Sequence, residues 1–124
     1  MLQHIALEVA DPEKGARFFT EILGLTKQKS STLPAALNRA LFGFSEDTAM
    51  ETWSDGALTV EVFITGTPVS PSYSHVCLGV PDIAAFLEKC AAHGVPIITA
   101  PKGDKEIVFI KDFSGNLYEI TEQQ

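Results

Sequence analysis

The chain predicts an α+β domain built from two copies of a βαβββ unit, and three observations carry that prediction. A phrase at the start, His4-Ile-Ala-Leu-Glu-Val-Ala-Asp11, is echoed by His75-Val-Cys-Leu-Gly-Val-Pro-Asp82. Self-similarity over such a distance marks a repeated supersecondary unit. In both copies a strand-like alternation gives way, at the aspartate, to apolar residues at helical spacing. Finally, 124 residues with 45% apolar and 20% charged side chains suit one compact domain rather than two independent ones.

The elements follow in order. Gln3 to Val9 alternates around His4 and Glu8, as a half-buried strand does. Asp11-Pro12 reads as an N-cap followed by proline at the first helical position. The helix carries Ala16, Phe19, Ile22 and Leu23, with Phe18 beside them, and stops at Gly24. Three strands are expected next, over Leu25–Lys29, Arg39–Phe44 and Leu58–Ile64, with the polar stretch Ser45–Gly56 as a hairpin loop. Module 1 therefore spans residues 1–65, and Gly66 to Ser74, rich in proline and serine, is the linker. Module 2, residues 75–124, repeats the plan. His75–Val80 is its first strand, and Pro81-Asp82 leads a helix through Ile83, Phe86, Leu87 and Cys90 that closes at Gly94. Ile97–Thr99, Glu106–Lys111 and Asn116–Thr121 are its three further strands, with Asp112–Gly115 as a tight turn before the last.

Composition excludes several classes of function. A net charge of -7 is the wrong sign for nucleic acid, whose phosphates demand a basic surface. The chain has no apolar run long enough for a membrane span, and its first residues read as a strand rather than a signal peptide. Cys77 and Cys90 form no paired metal or redox motif, so reduced thiols in a cytoplasmic protein are expected.

Strand parity gathers the chemistry-bearing residues. His4, Ala6 and Glu8 point away from Ile5, Leu7 and Val9, and His75, Cys77 and Gly79 away from Val76, Leu78 and Val80. On the strands that close the two copies, Glu61 and Glu119 share the corresponding face. Each copy thus offers one histidine on its first strand and one glutamate on its last, on the side away from the helices. A carboxylate within an apolar strand needs a partner. Two imidazoles and two carboxylates suit a borderline divalent metal such as nickel, cobalt, zinc, manganese or iron, with room in the shell for a substrate oxygen.

This pattern, from His4 to Glu122, resembles the vicinal oxygen chelate superfamily and within it glyoxalase I. The residues that carry the likeness are the two His-led strands, Glu61 in Thr-Val-Glu-Val and Glu119 in Gly-Asn-Leu-Tyr-Glu-Ile. The resemblance implies two curled mixed sheets around a cleft, and a metal held by His4, Glu61, His75 and Glu119. It implies isomerisation of a 2-oxoaldehyde–thiol adduct, or a similar oxygen-chelating substrate, through an enediolate, with Glu119 and Glu61 moving the proton. It also implies a homodimer whose sites draw ligands from one chain or from two. Glutathione-using relatives carry arginine where Glu8 stands and asparagine where Thr65 stands, so another thiol is expected. A metal-free, bleomycin-resistance-like binding module and a three-ligand dioxygenase or resistance transferase are the competing expectations. The latter would need only His4, His75 and Glu119.

Other residues have plainer readings. His93 sits in a helix's last turn, where a cation suits the dipole. Cys77 is expected to be a small buried apolar residue, Arg39 to lead a central strand, Trp53 to serve as core, and Lys102–Glu106 to form a solvated turn.

Overall fold

The structure is a computed structural model and describes residues 1–123. The chain divides into two compact units, Met1–Val69 and Ser70–Gln124.

In the first unit β1 (Ile5–Val9) leads into α1 (Pro12–Arg17), which runs on as a π-helical turn over Phe18–Ile22. Asp11 caps α1 as its position before Pro12 predicts, accepting the amide hydrogens of Glu13 and Lys14 at 2.9 and 3.1 Å. The π turn buries Phe18, Phe19 and Ile22 together, and Gly24 at φ 69° reverses the chain. There follow β2 (Thr26–Leu33), α2 (Ala35–Phe42), β3 (Thr48–Ser54) and β4 (Thr59–Ile64). The sheet order is β1-β4-β3-β2, with β1 parallel to β4 and the other neighbours antiparallel. The first strand of the unit therefore lies beside its last.

Two expectations fail here. Arg39–Phe44 is not a strand, because residues 35–42 form α2. The alanines of this stretch favour a helix, Gly43 ends it at φ 84°, and the Asp47 carboxylate accepts the Ala35 amide at 2.7 Å. Arg39 is thus exposed on the last turn of α2 and leads no strand. The middle strand lies instead inside the stretch read as a loop, where Thr48–Ser54 pairs with both β2 and β4. Its alternation of small, polar and large residues resembles a turn in composition, and only its neighbours reveal it as a strand.

The second unit repeats the plan without the inserted helix. β5 (His75–Val80), α3 (Ile83–Ala92), β6 (Ile97–Lys102), β7 (Lys105–Lys111) and β8 (Leu117–Glu122) give the order β5-β8-β7-β6. Asp82 caps α3 through the Ala85 amide, as expected, and the β6–β7 hairpin turns at Gly103–Asp104, within the expected turn Lys102–Glu106, whose other residues belong to the two strands. β6 runs three residues beyond the expected Thr99 because Ala100, Pro101 and Lys102 continue the ladder with β7. Before β8 the buried Asp112 gathers the amides of Ser114 and Asn116, the Asn116 side chain and the Tyr118 hydroxyl. Together with burial, that carboxylate holds the Tyr118 phenol well above its ordinary pKa. Both sheets are open, and the pattern is the α+β architecture expected.

Burial follows strand parity in both units. Val9, Trp53, Val60 and Val62 are buried on the helix side of the first sheet, where Trp53 stacks on Phe19. Val80, Ile110, Tyr118 and Ile120 do the same in the second. The opposite faces carry the functional candidates.

Candidate functional site

The register explains why each histidine meets a glutamate. In the first sheet Ala6 lies opposite Glu61, so His4, two residues earlier and on the same face, reaches across diagonally. In the second sheet Cys77 lies opposite Glu119, and His75 occupies the same diagonal position. The His4 Nε2 to Glu61 Oε1 distance is 3.5 Å, and the His75 Nε2 to Glu119 Oε1 distance is 3.4 Å. All four side chains are partly solvent-exposed.

The hydrogen bonding of the second pair bears on what its histidine can hold. His75 Nδ1 lies 2.8 Å from the Tyr73 carbonyl oxygen, which can only accept, so that nitrogen carries the proton. In neutral imidazole Nε2 then presents a lone pair toward Glu119, itself an acceptor when ionised. Two acceptors facing one another need a proton or a metal between them. A carbonyl that orients the far nitrogen is also the usual support of a metal-bound histidine. The donor set therefore fits a divalent ion. Phe109 stands edge-on to the His75 ring, with centroids 5.2 Å apart, and limits its rotation.

The structure brings His4 to Glu61 and His75 to Glu119. Among the described residues it gathers no group of three or more His, Cys, Asp or Glu side chains that could hold a metal. Glu8 is exposed on the face of His4 and Glu61, two residues beyond Ala6. Cys77 corrects an expectation, because it is exposed and shares the face of His75 instead of being buried. Cys90 is the buried thiol, and burial pushes it up to about 11, so it is no nucleophile. Trp53 belongs to the core and donates its indole hydrogen to Glu51. His93 caps the end of α3.

Two parts of the surroundings escaped the sequence. α2 lies against the far end of the histidine face of the first sheet, through Asn38 to Thr48 (3.0 Å) and Phe42 to Phe63 (5.5 Å between rings). The exposed Leu37, Leu41 and Phe42 at helical spacing were its signal. In the second unit β7 pairs with β8 only over Phe109–Lys111, and a groove of about 560 Å³ opens beside Glu119 where the strands part, near Lys105 and Ile107.

The fold and paired sites define a class of domain in which two βαβββ units each display one histidine–glutamate pair. The profile of the Glyoxalase/Bleomycin resistance protein/Dioxygenase superfamily matches residues 1–120, and the chain belongs to that superfamily. A probable lactoylglutathione lyase of Vibrio cholerae is 26% identical, over 98% of this chain and 89% of that protein. A glyoxalase family protein from Enterococcus faecalis superposes with a TM-score of 0.76 at 19% identity, over 98% of this chain and 97% of that one. A mutant of the fosfomycin resistance protein FosX from Listeria monocytogenes, complexed with Mn(II) and 1S,2S-dihydroxypropylphosphonic acid, gives 0.75 at 19% identity, over 100% and 92%. Members of the superfamily are mostly enzymes. Among the described residues no helix is long and apolar enough to cross a membrane.

Proposed function

We propose that this protein is a divalent-metal-dependent, glyoxalase-I-like lyase or isomerase. Its substrate is a 2-oxoaldehyde–thiol adduct or a similar small molecule with two chelating oxygens. One observation carries the reading: the two histidine–glutamate pairs recur at the same register and nearly the same separation in both sheets. His4, Glu61, His75 and Glu119 are the ligands, supplied by one chain or by two copies in a homodimer. The ion, whether nickel, cobalt, zinc, manganese or iron, would polarise a substrate oxygen.

The chain's own residues do the rest. Glu119 takes the proton from the carbon beside the substrate carbonyl and returns it to the neighbouring carbon, with Glu61 as its counterpart. The Tyr73 carbonyl keeps His75 Nε2 aimed at the site. Glu8, exposed on the face of His4, opposes the carboxylates of glutathione and favours a different thiol.

Elemental analysis of protein purified without chelator tests this reading. One divalent ion per chain is expected, with the ion lost in His75→Ala and turnover of methylglyoxal in the presence of a suitable thiol. No bound ion, and no melting shift with added nickel or zinc, would overturn it. The Mn(II) held by the Listeria relative favours a second reading, a three-ligand resistance transferase using His4, His75 and Glu119. Glu61→Gln separates the two, since it would leave the transferase largely active.

A further inference from the structure

The edge strand of the first sheet contains one irregularity, and it places a charge on the histidine face. Lys27 pairs with Trp53, but the next pairing is Lys29 with Thr52, so Gln28 is an extra residue. In a regular strand Lys27 and Lys29 would lie on one side, because side chains alternate with period two. The bulge separates them. Lys27 stays on the helix side, where its ammonium lies 3.1 Å from Glu51. Lys29 turns to the side of Thr52, whose partner on β4 is Glu61.

Lys29, Thr52 and Glu61 thus form one row across β2, β3 and β4. Two strand spacings, roughly 10 Å, separate the backbones of Lys29 and Glu61, and a flexible four-carbon stem is long enough to bring the ammonium over Thr52 into that gap. Lys29 is exposed, and no ion pair engages it among the described residues. The other ionisable residues that the register puts on this face are His4, Glu8 and Glu61, which makes Lys29 its fixed positive charge. A lysine and a bulge can each blunt a sheet edge against aggregation, but neither requires a second lysine on the histidine face. The second sheet supplies the control. There β6 follows β7 in unbroken register, and the residue in the row of Phe109 and Glu119 is Ile98.

We propose that Lys29 is a specificity-determining residue that binds an anionic group of the substrate, a carboxylate or phosphonate, a few bonds from the chelating oxygens. The inference rests on the metal reading given above and names the substrate class for that site. It also makes the first sheet's face selective. An anion set beside Lys29 is accepted, whereas one near Glu8 is repelled.

The test uses the full chain loaded with nickel and two chelating probes, succinohydroxamate and its neutral terminal amide. Each affinity is measured by calorimetry, and metal content is checked after titration. The wild-type protein is expected to bind the carboxylate probe about tenfold more tightly, as suits a charge-assisted contact. Lys29→Gln erases that preference and leaves the affinity for the amide unchanged, Lys29→Arg keeps most of it, and Lys27→Gln keeps all of it. Equal affinities in the wild type, or a preference that survives Lys29→Gln, overturn the role of Lys29 alone. Failure of both probes to bind, together with absent metal, overturns the metal reading itself and this inference with it.

Discussion

The two sheets present the same histidine–glutamate pair on differently furnished faces. Beside Glu61 stand Thr52 and then Lys29, whereas beside Glu119 stand Phe109 and then Ile98. The first face carries Glu8 two residues beyond Ala6, and the second has Gly79 in the matching place. The first is roofed at its far end by α2, while the second sheet has no counterpart of that helix and is parted by a groove between β7 and β8 that reaches Glu119. On the proposed metal reading, the duplicated part is the part that metal chemistry would need, and the divergent part is what would recognise the rest of a substrate. In a repeated unit the shared requirement keeps the copies alike, and division of labour lets them differ.

The sharpest way to break that comparison is turnover. Glu119→Gln is expected to lower kcat for the methylglyoxal–thiol adduct on the order of 10²–10⁴-fold, the usual worth of a positioned proton-transfer group. Glu61→Gln is expected to cost less, because Glu119 is the carboxylate that faces a histidine oriented by a backbone carbonyl, that of Tyr73. Equal losses would show the two carboxylates to be equivalent in chemistry as well as in register.

The helices differ as the faces do, and stability measures it. At the position where α3 buries Phe86, α1 has Gly15, where an added Cβ would lie 2.8 Å from Val9 Cγ1. Phe86→Ala is expected to cost about 3–5 kcal/mol in urea unfolding through the cavity it leaves. Gly15→Ala is expected to cost about 1–3 kcal/mol through overpacking. A neutral Gly15→Ala would mean that α1 rests less tightly on its sheet than the glycine implies.

The smallest expected difference lies in the caps. Asp11 holds two amide hydrogens and Asp82 one. Their alanine variants are expected to lower stability by about 1–2 and about 1 kcal/mol respectively, read as shifts in melting temperature.

Much of this was legible in the residues. The two aspartate caps, the glycines that end α1 with its π turn and α3, and the strands His75–Val80 and Thr59–Ile64 follow from local chemistry. The middle of the first unit was not legible. Residues 35–42 mix apolar and polar groups in a way that fits helix or strand over a short run, and a long-range cap from Asp47 helps to settle the choice. β3 is polar enough to pass for a loop because it owes its existence to neighbours on both sides. Cys77 was misjudged because small size suggests burial, whereas its place on β5 gives it the exposed face.

By itself the sequence determined which residues share a face, because side chains alternate along any strand whatever the strand touches. His4 with Glu8, His75 with Cys77, and the separation of Glu61 and Glu119 from their apolar neighbours were settled at that level. Only the tertiary structure decided that the first strand of each unit lies against the last, 3.5 and 3.4 Å from histidine to glutamate. The bulge that sends Lys29 and Lys27 to opposite sides was decided there too. Strand order and bulges arise from hydrogen bonds between segments far apart in the chain, and a local pattern carries no record of its partner.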